Sequence, residues 1–333
     1  MKERRPHSKK HHHRKPPPAP RNPGVIRKPG GPPPAGAAAG QEPAPTHWGD
    51  VAEWYDQLVG EEGSEYHRHV VLPGAVRLLA AKAGDQVLDI ACGQGVLCRM
   101  LARQGVQASG VDAAVNLIRL ANDRNAQIPP GTARPVYRVG DVRELSPAFG
   151  EDHFDAAACL LAIQNINPIG PVFESVARVL KPMGRFVVVM MHPAFRGPKE
   201  TSWRWDDKRK VQYRRVDRYL LPRKIPIVTH PGKSQDYTWT FHKPIEAYVK
   251  AARNAGLLID ALEEWTSHKT STSGPRAPAE NVAREEIPLF LAIRAVKISP
   301  PTVSEAPDVP ATAEQGVSGD AGDRNPPETQ GPG

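Results

Sequence analysis

Through the middle of this 333-residue chain, apolar positions follow two alternating rhythms. Short runs with strand character fall at residues 86–90, 106–111, 136–139, 154–159 and 186–191, separated by stretches of helical spacing at 96–104, 115–122 and 172–180. Upstream, Val51, Trp54, Tyr55 and Leu58 mark a helix within 48–58, and Val76, Leu78, Leu79 and Ala80 mark a second over 72–83. Strands alternating with helices at this spacing predict an α/β fold: a parallel sheet with helices on both faces. The ligand site of such a sheet lies beyond the carboxyl ends of its strands, where the strand order reverses.

The rhythm breaks after Met191. Residues 192–243 mix Trp203, Trp205, Tyr213, Tyr219, Trp239 and Phe241 with many charges and contain alternating stretches at 211–221 and 236–241, the pattern of an inserted cap built on a β-hairpin. The core then resumes with a helix over 245–255, a strand over 257–265, a polar loop and a strand over 289–296. One enzyme-sized domain is expected over residues 46–298.

Charge changes the picture mainly at the ends. Residues 1–40 hold ten Lys/Arg against Glu3 alone, a net charge of +9, whereas the whole chain is +8. Proline tracts such as Pro16-Pro17-Pro18 and the scarcity of large apolar residues predict a disordered basic tail over 1–45, able to give weak contact with nucleic acid or acidic surfaces. Residues 299–333, Pro/Gly-rich with six acids facing Arg324, predict a disordered acidic tail. No apolar run reaches the ~18 residues of a membrane span. Three cysteines, Cys92, Cys98 and Cys159, fall on elements expected to be buried; free thiols in a reducing, cytoplasmic setting suit them better than disulfides.

The chemistry centres on Val87-Leu88-Asp89-Ile90-Ala91-Cys92-Gly93-Gln94-Gly95-Val96, a strand entering a Gly-x-Gly turn that opens a helix. Glycine at 93 and 95 lets a ligand approach backbone, and the helix start offers unpaired N–H groups. Asp112, 17 residues after Gly95, ends the second strand, where a carboxylate can accept from two ribose hydroxyls; its structural alternative is a cap on the helix starting at Ala114. There is no Walker lysine, and a carboxylate at the loop's own start suits an ammonium better than a pyrophosphate.

The run Asp89 to Gly95 resembles the first motif of class I S-adenosylmethionine-dependent methyltransferases, and the likeness extends over about residues 46–297, closest in style to small-molecule enzymes of the ubiquinone/menaquinone-methylase type. It implies a Rossmann-like, seven-stranded, mostly parallel sheet with one antiparallel last strand and a cap inserted after strand five. S-adenosyl-L-methionine would be the cofactor and a small molecule the methyl acceptor. Asp89 would meet the cofactor's amino group, and Ala91, Cys92, Gly93 and Gly95 would form the cradle, Cys92 by small bulk and backbone rather than by thiol reactivity. Ala113 would lie against adenine, Asp141 at its amino group and Val142 backbone at the ring, while Leu160, in the stretch 158–166, would line the transferable methyl. Asp141 could equally be a turn residue, and the apolar residues of 158–166 could equally pack a helix.

On the acceptor side, Tyr55, Tyr66, His67 and Arg68 are expected on an N-terminal lid, with Gln164 beside them. His192, delivered by the fifth strand, is the candidate catalytic residue as a proton acceptor; its structural alternative is a satisfied histidine. No metal site is expected. The cap's basic residues and aromatics suit a substrate lid, or alternatively a nucleic-acid face. The competing functions are an RNA methyltransferase using the basic tail and a non-catalytic cofactor-binding regulator.

Overall fold

The computed structural model describes residues 48–49, 51–128, 131, 133–230 and 233–298, with backbone only at 228–230 and 233–237. Both tails expected to be disordered lie outside the described residues.

Helix α1 (Ala52–Val59) leads through a wide π turn (His67–Val71) into α2 (Leu72–Leu79). The second helix ends four residues earlier than its pattern predicts, because Ala80 turns left-handed (φ 48°) and its N–H closes on Val76 O. There follow β1 (Gln86–Ile90), α3 (Val96–Ala102), β2 (Gln107–Asp112), α4 (Val115–Ala126), β3 (Val136–Val139), α5 (Ser146–Phe149), β4 (Phe154–Leu160), α6 (Gly170–Val179) and β5 (Leu180–Met191). Beyond the short α7 (Pro193–Arg196), the cap contains two hairpins where the sequence suggested one: β6 (Thr201–Asp206) with β7 (Val211–Val216), and β8 (Arg223–His230) with β9 (Lys233–His242). Helix α8 (Ile245–Asn254), β10 (Leu257–Trp265), α9 (Ala277–Glu286) and β11 (Phe290–Lys297) complete the order.

Seven strands form one sheet in the order β10-β11-β5-β4-β1-β2-β3, parallel except for β11, which runs against both its neighbours. Strand alternation distributes the core over two faces. From β5, Phe186, Val188 and Met190 join Phe173, Val176 and Tyr248 under α6 and α8; Val187 and Val189 join Leu78, Leu97 and Ile118 under α2, α3 and α4. The chain leaves β1 toward β2 and β3, then returns to β4 on the other side, so the strand order reverses between β1 and β4 and opens a crevice over their carboxyl ends.

Helix α9 replaces part of the expected polar loop. Pro278 sits in its first turn, where a missing N–H costs nothing, and only Ala283 is buried, so no apolar period announces it. Among the described residues no helix is long and apolar enough to cross a membrane.

Candidate active site

The loop after β1 bends through three left-handed residues, Ala91, Gly93 and Gly95. At Gly95 the close approach is steric as well as conformational: a Cβ there would lie 2.3 Å from the Tyr137 hydroxyl. Asp112 ties the loop to the tip of β2, one oxygen accepting from Gly93 N (2.9 Å) and the other from Ala114 N (2.8 Å). The cap reading and the ligand reading therefore coexist, since a carboxylate has further lone pairs to offer. Burial pushes Asp112 up despite these two bonds.

Asp89 is 4% exposed, and the Cys98 thiol donates to its Oδ2 across 3.7 Å. Among the described residues no cation pairs with it. Burial, partly offset by the Cys98 bond, pushes its carboxyl up to about 8, with the charge of Asp112 adding to the rise. A carboxyl so poor in partners suits the ammonium of an amino-acid ligand, whose charge favours its ionised form. Burial also raises the thiols of Cys92, Cys98 and Cys159, so none is a ready nucleophile.

Tyr55 closes the cradle from above: a Cβ on Gly93 would meet its ring at 3.3 Å. Burial and the nearby charges of Asp112 and Asp89 push its phenol up. Beside it opens a cavity of about 830 Å³ whose wall includes Tyr55, Tyr66, His67, Arg68 and Leu161. The four lid residues expected from sequence are thus gathered on one cavity. Tyr66 packs edge-on against Phe290 and His268, and His67 Nδ1 pairs with Ser64 Oγ at 2.8 Å; Arg68 is exposed.

Two residues not singled out from the sequence fasten this lid. Gln94 Nε2 donates to Gly60 O (2.7 Å), and Arg99, its guanidinium buried, donates to Glu61 O (2.7 Å) and to Gln94 O. Arg99 interrupts the otherwise apolar run Val96-Leu97-Cys98-Arg99-Met100-Leu101, and that interruption was its signal.

At the rim of β4, Leu160 is partly buried, and Gln164 donates to Leu161 O (2.7 Å) while its Oε1 is buried without a partner. Val142 is buried and Ala113 exposed. Asp141 is exposed and grips Arg143, two residues on, whose Nε lies 2.8 and 3.0 Å from its oxygens; this pair holds its carboxyl below the usual range. Lys243 was also missed. It is buried, donates to Ile166 O (3.3 Å), and burial drives its ammonium down to about 8.

His192 takes up the structural role offered as its alternative. Its Nδ1 accepts from Ala194 N (3.2 Å) and Phe195 N (3.4 Å), capping α7, so the ring proton resides on Nε2 and points at Glu264 Oε1, 2.7 Å away. Both nitrogens are engaged, the ring is 1% exposed, and burial pulls its pKa down. In this arrangement the histidine shapes the turn out of β5.

A Rossmann-like sheet of this order, with a glycine loop on its first strand and a carboxylate at the tip of its second, defines an α/β fold built for a nucleoside-bearing cofactor. The family profile described as a methyltransferase domain matches residues 88–188. The chain is 36% identical over 227 residues to the 2-phytyl-1,4-naphtoquinone methyltransferase of Synechococcus elongatus, covering 67% of this chain and 90% of that one. It is 30% identical over 202 residues to the demethylmenaquinone methyltransferase of Tropheryma whipplei, covering 60% and 75%. In architecture it is similar to an S-adenosylmethionine-dependent methyltransferase from Mesorhizobium loti, with a TM-score of 0.54, 24% identity, and coverage of 67% and 96%. The chain belongs to the class I S-adenosylmethionine-dependent methyltransferases, in their ubiquinone/menaquinone-methylase branch. Its cofactor is S-adenosyl-L-methionine and its acceptor a small molecule.

Proposed function

We propose that the acceptor is a hydroquinone bearing a lipophilic side chain. The observation that carries this reading is the identity to a phytyl-naphthoquinone methyltransferase over nine-tenths of that relative. The cavity beneath the lid, with Tyr55, Tyr66 and Leu161 on its wall, offers a planar ring apolar and aromatic surface.

When bound, S-adenosylmethionine supplies an electrophilic sulfonium methyl, for which an electron-rich hydroquinone is the matching nucleophile. In this reading Asp112 receives the ribose hydroxyls and Asp89 the ammonium, within the cradle of Ala91, Cys92, Gly93 and Gly95. Ala113, Asp141 and Val142 face adenine, which requires the Asp141 carboxylate to share itself with Arg143. Leu160 borders the methyl, while Tyr55, Tyr66, His67, Arg68 and Gln164 orient the acceptor and exclude water. Alignment of this kind is worth at most ~7–11 kcal/mol. The same proposal takes residues 46–298 as the catalytic unit, with 192–243 as its substrate cap. It sets the protein in the cytoplasm, a reading supported by three free thiols, and leaves the basic tail a weak contact with acidic surfaces or nucleic acid.

The test is to incubate the full chain with methyl-labelled cofactor and either a short-chain, water-soluble 1,4-naphthohydroquinone or total RNA. Label is expected in the hydroquinone product. Label in RNA alone, or in neither, overturns the assignment.

A further inference from the structure

We propose that the outer face of hairpin β6–β7 and the connection after it, residues 217–222, form a docking surface for an anionic lipid bilayer. The proposal rests on the acceptor being lipophilic, as inferred above, since such an acceptor must be collected from a membrane.

Charge points to the cap first. Residues 192–243 carry thirteen Lys/Arg against five Asp/Glu, a net charge of +8, which equals that of the whole chain. Outside the terminal tails the cap is therefore the basic region. Apolar exposure then falls on the hairpin and the connection after it: Val211, Tyr213, Leu220 and Leu221 are all more than a third exposed, with Leu220 at 71% and Leu221 at 55%. Scattered exposed leucines need no explanation, but adjacent ones between Arg218 and Lys224, with Arg223 already paired to Glu200, form a contiguous apolar and cationic stretch.

Strand register sorts the hairpin into two unlike faces. Arg204 lies opposite Tyr213, Ser202 opposite Arg215 and Asp206 opposite Val211, so these six share the outer face, and Lys208, Arg209 and Lys210 cross its turn beside Asp207. The opposite face is covered by protein: Trp203 lies between Arg196 and Arg214 (5.0 and 5.2 Å), and Arg276 covers Trp205 (4.6 Å). Burial and the charge of Arg214 push Arg196 down to about 10.

This division favours lipid over nucleic acid. Single-stranded nucleic acid binds by stacking on open aromatic faces, and here the indoles of Trp203, Trp205 and Trp239 are covered by Arg196 with Arg214, by Arg276 and by Lys224. What lies open is mostly aliphatic, suited to the headgroup–acyl boundary, among cations suited to anionic headgroups. The hairpin is also fastened to the catalytic rim, Arg214 Nε donating to Phe195 O (2.7 Å) just beyond β5. A docked cap holds that rim at the bilayer.

Full-chain protein is sedimented with vesicles of phosphatidylcholine, alone or mixed with phosphatidylglycerol, beside the double variant Leu220→Ser/Leu221→Ser and the triple variant Lys208→Glu/Arg209→Glu/Lys210→Glu. Binding is expected to the mixed vesicles, weakened about tenfold or more in each variant and by added salt. Melting curves and affinity for S-adenosylmethionine are expected to stay at wild-type values, which excludes misfolding. The basic tail is common to every protein, so variants that bind like wild type would show that the tail alone binds and would overturn the proposal. Variants that lose binding to an RNA fragment while none binds vesicles would overturn it in favour of nucleic acid. If wild type fails to methylate the soluble hydroquinone yet binds vesicles through Leu220 and Leu221, the acceptor reading falls and the docking face stands.

Discussion

On the cofactor side of the crevice, the backbone N–H groups of Gly93 and Ala114 meet on the one buried carboxylate of Asp112, and Gly95 N closes the loop on Cys92 O, all within one strand–loop–helix unit and the tip of its neighbour. On the cavity side, the lid after α1, Leu161 beyond β4 and Lys269 beyond β10 come from three distant stretches and meet through side chains of mixed character. The first arrangement is local and stereochemically demanding, so it tolerates few residue types. The second is assembled by the fold and free to vary, as expected where specificity is set by loops on a fixed scaffold.

The sharpest way to break this contrast is Asp112→Ala, which leaves the buried N–H groups of Gly93 and Ala114 without an acceptor. Hydrogen bonds to a charged group are worth ~1.5–3 kcal/mol each, so cofactor affinity measured by calorimetry should fall at least about 100-fold. Wild-type affinity in this variant would remove the cofactor assignment.

Asp89 gives a pH signature. The folded protein holds this proton up to about 8, far above the ordinary value of 3.8, whereas the unfolded chain releases it near that ordinary value. The folded state thus binds more protons between the two, and the contribution of Asp89 to stability, full below about 4, declines as pH rises through about 8. An ammonium ligand reverses the preference by favouring the ionised form. Cofactor binding near pH 7 should therefore release up to one proton, seen as a dependence of binding heat on buffer ionisation enthalpy. Asp89→Asn should abolish that dependence and lower affinity about tenfold.

A smaller effect tests the coupling between the two sides. Gln94→Ala removes the bond to Gly60 O and should raise the acceptor KM about fivefold, the equivalent of ~1 kcal/mol. Cofactor affinity should change less than about twofold, and amide exchange over residues 57–68 should quicken. An unchanged KM with faster exchange would mean that the lid does not bear on the acceptor.

Smallest is His192→Asn. It keeps a side chain able to cap α7, so stability should change by less than about 1 kcal/mol, and the shape of the kcat–pH profile should be unaltered. A lost limb in that profile would give this position a proton-transfer role.

The same contrast explains what could be read from the sequence. Gly93, Gly95 and Asp112 were legible because spacing alone fixes a loop made of backbone, and the alternation of strands with helices foretold helices on both faces of the sheet. His192 was not, because its partner Glu264 lies 72 residues away and its other partners are backbone N–H groups of a helix four residues long. Asp141 carried a local hint, a guanidinium two residues on, that its charge would be claimed at once. Helix α9 escaped notice because polar residues and prolines mask a helix that buries only Ala283. The second cap hairpin was hidden because alternation of strongly charged residues marks strands poorly and says nothing about which strand pairs with which.

The fastening of the lid has one more consequence. Gln94 and Arg99 grip carbonyl oxygens of Gly60 and Glu61, groups that every amino acid possesses. All the chemical information in this joint resides on the cofactor side, and none in the lid residue it grips at Glu61. The lid can therefore exchange side chains, and with them its preference among acceptors, while remaining moored: its vocabulary can drift without its grammar failing.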